Sequence, residues 1–129
     1  MERIEVSGLV VEGAKRGKTL GFPTANIELN KEQALLLPNI GIYAVNVKLN
    51  EKTLDGAASW GFNPTFGLEN PQLEVHILNF NEDIYGKKIS VEFVEFIRGE
   101  IKFESIEKLK ENIQEDCIKC EKILQGKKA

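Results

Sequence analysis

At 129 residues the chain is of single-domain size, large enough to bury about two-thirds of the surface that its unfolded form exposes. Apolar residues make up 42% and charged residues 29%, the balance of an ordinary globular domain, and no stretch approaches the run of about 18 apolar residues that a membrane-spanning helix needs. A net charge of −3 disfavours a general nucleic-acid binder, two cysteines are too few for a disulfide framework, and the start MERIEVSGLV lacks the marks of a secretory signal. The expectation is one cytoplasmic domain over residues 1–129, with no membrane or nucleic-acid partner.

The segment from Ile4 to Glu12 is rich in β-branched residues and predicts a strand. Gly13 to Thr19, GAKRGKT, is a basic loop whose glycines let N–H groups converge on an anion, with Lys15, Arg16 and Lys18 adding charge. It nearly reproduces a nucleotide-binding P-loop, but Glu12 stands where the first glycine belongs, and Gly21 and Pro23 would break the helix that should follow. Leu20 to Leu29 reads as a stiff, non-helical arm, because proline fixes its own φ and pushes Phe22 towards extended backbone. In an extended chain Thr24 and Asn26 share a face, presenting two hard neutral oxygens suited to a phosphate or its Mg²⁺. The competing reading is a strand edge whose polar side chains satisfy turn backbone.

Asn30 is placed to cap a short helical turn, with Gln33 completing a capping box and Pro38 stopping it. Ile40 to Leu49 predicts a half-buried strand with Tyr43, Val45, Val47 and Leu49 on one face. A turn over Asn50 to Thr53 leads into LDGAASWGF, a strand with small residues where something approaches closely. Asn63 to Gln72 is an irregular connection with two Asn-Pro pairs, and Leu73 to Phe80 alternates Leu73, Val75 and Ile77 against Glu74, His76 and Leu78. After a turn, Ile89 to Ile97 makes a further strand. Five or six closely spaced strands imply an antiparallel barrel or sandwich. Ser105 caps a helix over about residues 105–125, whose apolar stripe is Ile106, Leu109, Ile113, Cys117, Cys120 and Leu124, with Gly126 as its stop. Cys117 and Cys120 form a C-x-x-C, but they continue that stripe and read as packing residues. His76, the only histidine, reads as structural, and Glu74 is either a general base on a ligand-facing surface or a solvated outer-face residue.

Taken together, VSGLVVEGAKRGKTLGFPTANI, GIYAV, the W-G-F-N-P-T-F loop, LEVHIL, DIYGKKISVEF and FIRGEIKFESIEKLKENIQED resemble the riboflavin kinase (flavokinase) family, from about Ser7 to Leu124. The resemblance implies a mainly β fold, a six-stranded antiparallel Greek-key barrel with a C-terminal helix, and transfer of the ATP γ-phosphoryl group to the 5′-hydroxyl of riboflavin, giving FMN. It implies that Thr24 and Asn26 engage Mg²⁺ and the nucleotide phosphates, that Glu74 is the catalytic base, and that Gly13, Lys15, Gly17 and Lys18 close over ATP. Arg98 and Phe103 would lie near the flavin. Family members often carry arginine where Lys18 stands, which keeps charge but loses bidentate phosphate geometry. Many bacterial members also fuse this domain to an N-terminal adenylyltransferase domain that makes FAD. The rival implied function is a catalytically silent flavin-binding regulatory module.

Overall fold

A computed structural model describes residues 3–11, 21–62 and 71–128. Six strands close into an antiparallel barrel: β1 (Glu5–Val11), β2 (Ala25–Ile27), β3 (Gly41–Leu49), β4 (Lys52–Gly61), β5 (Gln72–Ile77) and β6 (Lys88–Arg98), in the spatial order β1-β2-β5-β4-β3-β6. β3, β4 and β5 pair consecutively and β6 returns beside β3, which is the Greek-key arrangement. A short helix α1 (Lys31–Leu36) links β2 to β3, and a long helix α2 (Ile106–Lys128) ends the chain.

Alternation along the strands decides which side chains enter the barrel. Tyr43, Val45, Val47 and Leu49 point inward as their spacing predicts, together with Val6, Val10, Leu73, Val75, Ile77, Ile89 and Val91, all buried. These side chains fill the interior, so polar groups of the strands stand on the outer face or at the barrel ends. Asn50, at the β3–β4 turn, and Asn79, after β5, have φ of 56° and 55°, left-handed backbone that asparagine tolerates better than most residues. Gly8 of β1 faces a close crossing: a Cβ there would lie 2.1 Å from the carbonyl oxygen of Glu28.

α1 is capped as expected, the Gln33 N–H donating to Asn30 Oδ1 at 2.8 Å. The capping box is not completed. Gln33 Oε1 instead accepts from the Ser7 N–H at 2.7 Å, because tertiary contact offers the side chain a strand donor that ties α1 to β1. α2 begins on the predicted cap, with the Lys108 N–H donating to Ser105 Oγ at 3.2 Å. It continues past Gly126 to Lys128, since a helical glycine costs only about 1 kcal/mol and docking upstream holds the helix.

That docking joins Cys120 and Leu124 to Ala44 of β3, with Ala57 of β4 and Val94 and Ile97 of β6 around them. The small residues of β3 and β4 let the helix lie close on the outer face. Ile106, expected on the stripe, is 47% exposed, whereas Asp116 on the docked side is only 4% exposed. Leu124→Ala is expected to cost about 3 kcal/mol and Ile106→Ala less than about 0.5 kcal/mol, measured by urea denaturation.

Candidate active site

With α2 covering the part of the outer face around Ala44, Ala57 and Val94, the outer face around β2 and β5 and the adjoining ends of β4, β3 and β6 remain for chemistry. The register there is direct: Asn26 of β2 lies opposite Glu74 of β5, and Glu74 opposite Ser59 of β4. Directly opposed residues bring their Cβ atoms within about 5 Å on the same face. Ala25 and Ile27 point inward beside Val75 and Leu73, so Asn26, Glu74 and Ser59 point outward as a row. Glu74 is therefore on the outside of the barrel, half-buried and flanked by polar neighbours. Asn26 is 9% exposed, close to fully enclosed.

The row runs on through Ile42, opposite Ser59, to Arg98, opposite Ile42 at the end of β6. Three strand steps of about 4.8 Å put Arg98 roughly 14 Å from Glu74 along the sheet. Arg98 is firmly held: Nε and Nη2 donate to the two carboxylate oxygens of Asp116 at 3.0 and 2.7 Å, and Nη1 donates to the Gly99 carbonyl at 3.0 Å. Its guanidinium carbon lies 5.6 Å from the centre of the Phe103 ring, within cation–π range. Arg98 and Phe103 thus form one group, and Asn26 and Glu74 another.

A contact at the end of β4 ties the segment after Arg98 to this face. Gly61 has φ of 153°, a backbone region that favours glycine, and Glu100 Oε1 lies 2.1 Å from where a Cβ would stand, so a side chain there would have to displace that carboxylate. Gly13, Lys15, Gly17 and Lys18, the basic loop, lie outside the described residues, as does most of the Asn63 to Gln72 connection.

Thr24 stands just before the regular strand, where the expected alternation with Asn26 has not yet begun, because β2 starts at Ala25. It lines a cavity of about 390 Å³ together with Pro23, Val75, Ile77, Phe80, Ile84 and Tyr85. Asn26 lines a second hollow of about 260 Å³ beside Trp60 and Leu73. The arm itself is pinned from β5, where His76 Nδ1 lies 2.7 Å from the Pro23 carbonyl oxygen.

Asp116 was not among the residues singled out from sequence. Its signal was present: position 116 falls three residues after Ile113 and four before Cys120, a charged residue on an apolar stripe. Ser59 gave no signal beyond lying in a strand of small residues. The two cysteines are free thiols, and burial raises Cys117 to about 11 and Cys120 to about 12. The Cys120 thiol donates to the Tyr43 carbonyl at 3.8 Å, consistent with packing residues.

The sequence pattern of the Flavokinase family, described as riboflavin kinase, matches residues 1–124. The chain belongs to this family. It is 40% identical over 114 residues to a bifunctional riboflavin kinase/FMN adenylyltransferase of Bacillus subtilis, covering 86% of this chain and 35% of that protein. It therefore spans about a third of the length of that relative. The riboflavin kinase structure from Trypanosoma brucei is similar with a TM-score of 0.69 at 26% identity, over 97% of this chain and 82% of that one. A structure described as a macrolide-efflux protein from Streptococcus pneumoniae has a TM-score of 0.76 at 36% identity, over 88% of this chain and 37% of that one. The barrel and C-terminal helix are thus those of a riboflavin kinase fold.

Two outcomes are expected from the geometry of this region. Asp116→Ala leaves the Arg98 charge enclosed without its carboxylate and should cost about 3 kcal/mol in denaturant unfolding, most of it recovered when Arg98 is also replaced by Met. Both thiols, with pKa values above the ordinary 9, stay protonated at pH 8 in the folded state. Alkylation by iodoacetamide should be slow for the native protein and fast after unfolding.

Proposed function

We propose that this domain is an ATP:riboflavin 5′-phosphotransferase, moving the γ-phosphoryl group of ATP to the 5′-hydroxyl of riboflavin to give FMN and ADP. The observation that carries the reading is the direct opposition of Glu74 and Asn26 on the uncovered part of the barrel, in a chain of the flavokinase family. A carboxylate beside an enclosed amide, with Thr24 nearby in sequence, supplies the parts phosphoryl transfer needs: positioned oxygens and an acceptor for the hydroxyl proton.

The cavity beside Thr24 suits the nucleoside of ATP, having apolar walls from Val75, Ile77 and Ile84 and an aromatic edge from Tyr85. Riboflavin would lie along the row from Glu74 towards Arg98 and Phe103, its ribityl end at Glu74. The donor set fits Mg²⁺, which takes few protein oxygens and keeps the rest of its shell for water and phosphate. Thr24 Oγ1 and Asn26 Oδ1 would hold it, and the ion would supply neutralisation of phosphate charge. Lys15 and Lys18, in the basic loop with Gly13 and Gly17, add charge towards the same phosphates.

In the reaction Glu74 takes the proton of the 5′-hydroxyl as that oxygen bonds to the γ-phosphorus, and the bond to the bridging oxygen of ADP breaks. Arg98 stays paired to Asp116 and presents its face, with Phe103, to the flavin. A pure binding module has no use for a carboxylate set against an enclosed amide at this position. The adenylyltransferase activity in the names of longer relatives belongs to those proteins, and an upstream domain of that kind is a proposed partner of this one in the native product.

The direct test is to incubate the protein with riboflavin, Mg²⁺ and ATP and follow FMN by chromatography; absence of FMN overturns the reading. Glu74→Gln should lower kcat by about 10²-fold or more while riboflavin binding, read by flavin fluorescence, changes little. Thr24→Ala should raise KM for Mg·ATP and leave that for riboflavin near its original value.

A further inference from the structure

The sheet does not fix Thr24: the β2 ladder pairs Ala25, Asn26 and Ile27 with β5, and Thr24 precedes it. What reaches the chain at that point is His76. Its Nδ1 is 2.7 Å from the Pro23 carbonyl oxygen, and its ring meets Phe22 edge-on, with centroids 5.7 Å apart and planes at 85°. A carbonyl oxygen only accepts, so Nδ1 carries the proton and donates.

The consequence for Thr24 follows from the planar peptide. The Pro23 carbonyl lies in the same rigid plane as the Thr24 nitrogen and Cα, so holding that oxygen fixes the plane from which the Thr24 side chain springs. Proline upstream has a fixed φ, leaving few other rotations to absorb an error. His76 in turn is set in β5 opposite Ala57, two residues beyond Glu74 and on the same outer face. One strand therefore carries both the proposed base and the anchor of the proposed nucleotide ligand.

We propose that His76 is a positioning residue for Mg·ATP, its Nδ1–H holding the Pro23–Thr24 peptide so that the Thr24 hydroxyl keeps a set place relative to Glu74. The inference rests on the assignment of Thr24 to the nucleotide. It places the spacing between base and metal ligand under the control of a single strand, since Glu74 and His76 cannot move independently within β5.

The test measures Mg·ATP binding without riboflavin by calorimetry, and riboflavin binding by fluorescence, in His76→Phe, His76→Gln and His76→Asn. Phenylalanine keeps a ring against Phe22 but has no donor, glutamine moves its amide donor one atom outward, and asparagine places a donor at the δ position. His76→Phe and His76→Gln should weaken Mg·ATP binding about tenfold, the scale of one lost hydrogen bond, while His76→Asn stays close to the original protein. Riboflavin affinity should hold in all three. Unchanged Mg·ATP affinity in both Phe and Gln variants, no rescue by Asn, or an equal loss of riboflavin affinity would overturn the proposal. If His76→Phe does not fold, the contrast between Gln and Asn decides. An unmodified protein that binds Mg·ATP yet forms no FMN defeats the kinase reading alone, and the binding contrast still judges His76.

Discussion

A barrel whose interior is largely filled by its own side chains leaves a substrate only its outer face and the hollow beside Thr24, where Val75, Ile77 and Ile84 form a wall. Leu73, Val75 and Ile77 of β5 occupy that interior with Val6, Val45, Val47 and Val91, and every alternate residue of the same strands is consequently turned outward. The outer face is then divided between a helix and a site. α2 takes the side where Ala44 and Ala57 permit close approach, and the polar row Asn26, Glu74 and Ser59 occupies the rest. The geometry of the proposed site is a property of sheet register, because a slip of one residue would turn Glu74 inward and Val75 outward.

Two irregular segments border the row, and a polar anchor on a regular element lies beside each. The arm before β2 is held at the Pro23 carbonyl by His76 of β5. The segment after β6 is held through Arg98, which is clamped by Asp116 of α2 and faces Phe103. Such anchors set positions that hydrophobic packing alone leaves loose, since apolar contact is non-directional whereas a bidentate guanidinium–carboxylate pair fixes both distance and plane. The buried pair carries a penalty of its own: with either partner removed, the remaining charge is left enclosed.

Much of this was legible in the chain because the relevant signals are local. The inward positions of β3 follow from period two, Asn30 and Ser105 from cap chemistry, and the C-x-x-C pair as packing residues from their place on an apolar stripe. Gln33 did not complete its capping box, since a strand N–H on β1 competes for the same oxygen. Ile106 sits on the stripe by spacing but lies exposed, because the first turn of the helix extends beyond the surface it covers. Asp116 was readable only as an anomaly, a carboxylate among apolar positions, and its partner is 18 residues away in sequence.

The sequence by itself determined the element types, the apolar faces of the strands, the family and the candidate residues for its chemistry, all of which depend on side-chain order along a few residues. The tertiary structure alone decided which of those residues meet. Asn26 and Glu74 are far apart in the chain and become neighbours only because β5 pairs with β2 instead of with β4 alone. That pairing is a non-local closure, driven by burial of the shared interior, and no local pattern encodes its register.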